Sequence, residues 1–177
     1  MCQWYLRTFK NQGKYESFIK VRREAPTAAI RQYQRSPVNA AWDTAVVMNG
    51  EPSMVHIREA LERAWGSETA YERAFQPGVP ALGQCYPTAR VLQVVFPRLE
   101  IIEGTVWTGT KAEKHFWNLL SVDGMGYHLD VTWQQFPSGS EVREWRMRPR
   151  EGLDDGPATV KRVDVLLRRV KAHLAAR

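Results

Sequence analysis

Gly83-Gln84-Cys85-Tyr86-Pro87-Thr88-Ala89, then His115-Phe116-Trp117-Asn118, then His128-Leu129-Asp130-Val131-Thr132-Trp133-Gln134-Gln135-Phe136 follow one another in the run from Gly83 to Phe136. From Cys85 to Phe96 the pattern is helical. Pro87 falls in the first turn, where a missing N–H costs nothing because that group has no intrahelical acceptor. Tyr86, Ala89, Leu92, Val94, Val95 and Phe96 make the helix apolar over most of its surface, as a central buried helix would be. Pro97 ends it. Cys85 therefore stands at a helix N-terminus, where unpaired N–H groups and the positive end of the dipole favour a thiolate.

Three strands are expected next: Leu99 to Trp107 with Gly104 as a bulge position, His115 to Val122, and Tyr127 to Trp133. Asp123-Gly124, between the last two, is the strongest short hairpin signal. A two-residue turn there sets Val122 opposite Met125, Trp117 opposite Asp130 and His115 opposite Thr132. Side chains alternate, so His115, Trp117 and Leu119 share a face with His128, Asp130 and Thr132. Asp130 becomes the diagonal neighbour of His115, at roughly 6–8 Å between backbones. A four-residue loop would carry Asp130 away to face Leu119, and a three-residue loop would flip the faces.

Cysteine, histidine and aspartate in these positions have the parts of nucleophilic acyl transfer. A thiol near its free pKa of about 8.5 is mostly protonated at neutral pH. A helix N-terminus and an adjacent imidazole activate it, and a carboxylate orients the imidazole. Cys85, His115 and Asp130 are the candidate nucleophile, base and orienting group. The Cys85 backbone N–H and Gln84 are candidate oxyanion donors, and Trp117 and His128, on the inferred face, are candidate substrate-binding residues. His128 also rivals His115 as base. Asn118 points the other way and belongs to the core or a turn. A lone Cys at a helix start is more often a small buried residue, and a lone strand His more often structural; the ordered combination outweighs those bland readings. A zinc site from Cys85, His115, His128 and Asp130 lacks a close ligand pair and ranks low. No cofactor and no metal are called for.

The flanks add less. Residues 1–53 hold eight Lys and Arg against four Asp and Glu, which is +4 of the net +6, and keep no steady periodicity. They read as a basic, weakly ordered extension with a short helix at 28–33 and a linker at 49–53. Residues 54–177 read as one α+β domain. Ser53 caps a helix from Met54 to Trp65, with Ile57, Leu61 and Trp65 on its apolar stripe and His56 off it. Pro137-Ser138-Gly139-Ser140 closes the sheet region, and Arg143, Arg146, Arg148 and Arg150 read as a solvated edge. Gly156-Pro157 opens a last amphipathic helix, with Val160, Val163, Leu167, Val170 and Leu174 on one face.

Hydrophobic residues at 44% and seven Trp supply a core. Basic residues interleave with acidic ones, which argues against a specific nucleic-acid partner. No apolar run approaches the roughly 20 residues of a membrane span. With two cysteines, Cys2 and Cys85, read as free thiols and no secretory h-region, a cytoplasmic protein is expected.

Residues 65 to 136 resemble the YunG-like family of small bacterial proteins. The resemblance rests on Trp65 with Glu68-Thr69, on Pro80 to Cys85 ending in Gly83-Gln84-Cys85, on Thr88-Ala89, on His115-Phe116-Trp117-Asn118, and on Leu129-Asp130-Val131-Thr132 leading to Gln135-Phe136. It implies that residues 1–53 are an addition, since such chains begin near Met54, and it names no substrate. The Cys-helix, His-strand, Asp-strand order is also similar to the papain-like and transglutaminase-like fold group. That second resemblance implies a papain-like cysteine hydrolase: a central helix carrying Cys85, packed on a small antiparallel sheet. Pro87, just after the cysteine, restricts the turn that would form the oxyanion site. The expected function is a cysteine-dependent hydrolase or acyltransferase on an amide or thioester bond of an unknown substrate, a protein or peptide among the candidates. The alternative is a non-catalytic ligand-binding or regulatory module on the same fold.

Overall fold

The computed structural model describes residues 4–9, 19–21, 53–122, 125–150 and 155–176. The elements are β1 (Trp4–Phe9), β2 (Ile19–Val21), α1 (Met54–Ala64), α2 (Cys85–Val95), β3 (Leu99–Trp107), β4 (Ala112–Val122), β5 (Met125–Asp130), β6 (Glu141–Met147) and α3 (Pro157–Ala175). Single 3-10 turns lie at Tyr71–Arg73 and Trp133–Gln135. The fold is α+β: three α-helices and an antiparallel sheet whose four strands run β5-β4-β3-β6, with β1 and then β2 added beyond β5. Most of the expected N-terminal extension, including the short helix at 28–33 and the linker up to Pro52, lies outside the described residues. Among the described residues no helix is long and apolar enough to cross a membrane.

The helices cover one sheet face. Ile57, Ala60, Leu61 and Ala64 of α1 pack with Val91 and Leu92 of α2 and Val163, Leu166 and Val170 of α3 over Leu99, Leu120, Tyr127 and Leu129. Burying each large aliphatic side chain here contributes about 1.5–3 kcal/mol. The stripe on α3 is rotated from the expected one: Leu166 is fully buried and Val160 is exposed. Val94 of α2 is also exposed, so that helix has an outer side. Ile102, Val106, Trp117, Trp133 and Val142 form a second apolar cluster. It lies on the opposite face of the sheet, because Ile102 and Val106 alternate with Leu99 and Ile101 along β3.

The hairpin register is Val122 opposite Met125, Leu120 opposite Tyr127 and Asn118 opposite Leu129. This is the pairing of a two-residue connection; Asp123 and Gly124 themselves lie outside the described residues. Two strand limits differ from expectation. β4 begins at Ala112, since its first residues pair with the end of β3. β5 stops at Asp130 instead of Trp133, because Thr132 leaves the extended conformation and the chain turns at Trp133–Gln135.

The sheet also does not end at Ser140. β6 pairs with β3, and the register slips by one between Thr105 and Val106. That irregularity explains why Glu141 to Met147 does not read as a strand: Val142 and Trp145 are three apart, and only an extra residue lets both face the same side. Gly104 is not the bulge. It faces His115 in β4 and Trp145 in β6, and a Cβ there would meet the Trp117 ring at 2.5 Å and the Glu144 carbonyl at 2.7 Å. The arginines that follow are paired within the chain: Arg146 and Arg148 with Glu103, Arg150 with Glu100 and Arg143 with Glu141. Hydrogen bonding from Lys114, assisted by Arg146, holds the Glu103 carboxyl below its ordinary range against the opposing effect of partial burial.

Gly83 sets the approach to α2. Its φ is +72°, and its carbonyl accepts from the Tyr71 N–H at 2.8 Å. A Cβ on Gly83 would lie 3.2 Å from both the Tyr71 backbone and Ala74. Gly83→Ala is expected to cost about 1–3 kcal/mol, read as a lower denaturation midpoint at unchanged slope. An unchanged midpoint would show that the turn relaxes without strain.

Candidate active site

The motif residues around α2 interlock. The Trp65 indole donates to Thr88 Oγ1 at 3.0 Å, Thr69 Oγ1 donates to the Gly66 carbonyl at 2.9 Å, and Gln84 Nε2 donates to the same carbonyl at 3.0 Å. Asn118, on the helix-facing side of β4 as expected, donates to the Ala89 carbonyl at 3.0 Å and ties α2 to the sheet. One residue past Cys85, the Tyr86 hydroxyl donates to Asp155, which Arg90 also holds at 2.9 Å. Burial, then the bond to Asp155 and its charge, push the Tyr86 hydroxyl up to about 12. The N-terminal half of α2 is thus anchored on Trp65 just past α1, on β4 and on Asp155 before α3. Pro87 sits in it without breaking the helix.

Three of the predicted residues meet. His115 Nε2 donates to Asp130 Oδ2 at 2.6 Å. Asp130 Oδ1 accepts from the Thr132 backbone N–H at 2.9 Å and from its hydroxyl at 3.0 Å, so the carboxylate is fixed from the other side. This is the Asx-turn habit of aspartate, bonding two residues ahead. The His115 ring is fully buried, stacked on Trp117 at 5.6 Å and edged by Trp133 and Phe136. Cys85 is a free, partly exposed cysteine at the start of α2. Burial, the largest influence, favours the neutral imidazole. The Asp130 carboxylate by charge and hydrogen bond, followed by Cys85, outweighs it and raises the ring from its ordinary 6.5 to about 10. The Cys85 N–H, in the first turn of α2, has no intrahelical acceptor.

Of the other three, Trp117 stacks on His115, and each has a hydrogen-bond partner of its own. Gln84 is fully buried; its side-chain N–H is bonded to Gly66 and its backbone N–H to the Ala81 carbonyl at 3.0 Å. It therefore ties the start of α2 to the Gly66 turn and to Ala81. Trp117 and His128 bind each other: the indole Nε1–H donates to His128 Nδ1 at 2.7 Å, and both are buried. An indole only donates, so His128 Nδ1 is unprotonated in this pair. His128 also meets the Trp145 edge at 5.0 Å and is not the residue bonded to Asp130. Two residues of this region were absent from the predicted set. Thr132 pins Asp130, and Gln135 Nε2 lies 3.4 Å from His115 Nδ1 while donating to the Thr132 carbonyl at 3.0 Å. The signal was the Asp-x-Thr spacing, which announces the turn.

No curated protein and no solved structure is significantly similar to the chain. Residues 53–175 match the family described as YunG protein, a span that extends beyond the motif region to α1 and α3. The chain belongs to the YunG family.

Proposed function

We propose that the chain is a cysteine-dependent hydrolase or acyltransferase acting on an amide or thioester bond, with a papain-like Cys85-His115-Asp130 arrangement. The observation that carries this reading is one imidazole held at Nε2 by a fixed carboxylate, with a partly exposed cysteine at a helix N-terminus among the groups that shift the same ring upward. With Nε2–H on Asp130, Nδ1 is the nitrogen left to exchange a proton with Cys85 Sγ. The thiolate attacks the substrate carbonyl carbon, and the carbonyl π pair moves onto oxygen. Collapse breaks the bond to the leaving amine or thiol, which takes the proton from His115. Water or a second nucleophile then resolves the acyl-thioester. The Cys85 N–H, at the positive end of α2, donates to the oxyanion in this reading. Deamidase, amidase and peptidase chemistries share these steps.

The test is the rate of iodoacetamide alkylation of Cys85 between pH 5 and 9, read by peptide mass spectrometry with Cys2 as internal reference. Cys85 is expected to outpace Cys2 at pH 6 by at least tenfold, and His115→Ala to abolish the advantage. Cys85 inert until the protein unfolds would mark it as a core residue and turn the assignment to a binding module.

A further inference from the structure

We infer that Gln135, and not Gln84, supplies the side-chain N–H that stabilises the oxyanion; this rests on the cysteine-hydrolase reading above. A tetrahedral intermediate on Cys85 needs donors where charge develops on the former carbonyl oxygen. Gln84 is fully buried, with its side-chain nitrogen held on the Gly66 carbonyl and its backbone N–H on Ala81. Gln135 is partly exposed and stands in the turn that follows Asp130. Its amide orientation is set by chemistry: only the nitrogen end can donate to the Thr132 carbonyl, at 3.0 Å. That donation uses one of two N–H bonds. The same nitrogen lies 3.4 Å from His115 Nδ1, the ring nitrogen left to the thiol. This is longer than the usual 2.7–3.2 Å range, so the ring holds the second N–H only weakly and leaves it beside the reacting atoms. When His115 is protonated, Nδ1 carries its own hydrogen and cannot accept from Gln135 at all, which leaves that N–H for an oxyanion. Thr132 serves both ends of the turn: its N–H and hydroxyl hold Asp130, and its carbonyl holds Gln135.

The experiment compares two reactions of Cys85. Acylation by p-nitrophenyl acetate passes through an oxyanion; Sγ bonds to the acetyl carbon, oxygen takes the π pair, and p-nitrophenolate leaves. Alkylation by iodoacetamide is a displacement at a saturated carbon and forms no oxyanion. Gln135→Met, which keeps the length and removes the donors, is expected to slow the Cys85-dependent p-nitrophenolate burst by about 10²–10³-fold. Alkylation at pH 6 should stay within threefold of wild type. Gln135→Ala, checked by an unchanged melting temperature, should behave alike. Equal losses in both reactions would make Gln135 a support for His115 and overturn the inference, as would no loss in either. A wild-type protein with neither burst nor enhanced alkylation would overturn the hydrolase reading itself, and the inference with it.

Discussion

Asp130→Asn is expected to lower the alkylation rate of Cys85 at pH 6 by about two orders of magnitude and the acylation burst further still. Asp130 accepts three hydrogen bonds, two from Thr132 on Oδ1 and one from His115 on Oδ2. An asparagine keeps its oxygen for the two Thr132 donors and turns its NH₂ toward His115 Nε2. That nitrogen must then accept, and the proton moves to Nδ1, the side that should take the thiol's hydrogen. The same substitution in a Ser-His-Asp triad costs about 10⁴ in turnover through the wrong tautomer. For alkylation the ceiling is lower, since an unassisted thiol of pKa about 8.5 is still about 0.3% thiolate at pH 6. The variant should also lose about 3 kcal/mol of stability at neutral pH, because one partner of a buried charge pair is gone. His115 has a folded value near 10, above its ordinary 6.5. Its contribution to stability is therefore complete below about pH 6.5 and is lost as pH rises through 10. The melting-temperature gap between wild type and Asp130→Asn should narrow over that window. A gap constant from pH 6 to 10.5 would show that His115 is not charged in the folded protein.

Gly104→Ala is expected to be the most damaging single methyl in the sheet. The new Cβ would meet the Trp117 ring at 2.5 and 2.7 Å and the Glu144 carbonyl at 2.7 Å. A ring held by its hydrogen bond to His128, and a backbone oxygen in β6, cannot both give way cheaply. The cost is about 3 kcal/mol, the upper part of the range for overpacking. Because Trp117 stacks on His115, displacing the indole disturbs the site as well. Urea denaturation should show the loss, and the pH 6 alkylation advantage should fall with it. A variant as stable as wild type would mean that β3 and β6 separate readily at this point.

Cys85, His115 and Asp130 were legible because each rule involved is local. Helix periodicity and a tolerated proline put Cys85 in a first turn, and Asp-Gly with period-2 alternation set the His115–Asp130 diagonal. The bond from Gln84 to Gly66 was not legible, for the opposite reason. The neighbouring Cys85 suggested a role for Gln84 at the site, while its partner, the Gly66 carbonyl, is 18 residues away. Trp117 and His128 share the predicted face, yet face-sharing says nothing of whether two polar atoms satisfy each other. Gln135 went unassigned because its position depends on β5 ending at Asp130, which strand propensity does not announce.

By itself, then, the sequence determined the order of helices and strands from Met54 to Asp130 and the last helix, the hairpin register and the pairing of His115 with Asp130. Local periodicity, turn chemistry and side-chain alternation suffice for these. The tertiary structure alone decided that β6 joins the sheet through a bulge, that Gly104 makes room for an indole, and which face α3 buries. It also decided which of two glutamines stands beside the imidazole. Each of these depends on partners distant in the chain, and close packing, not propensity, selects among them.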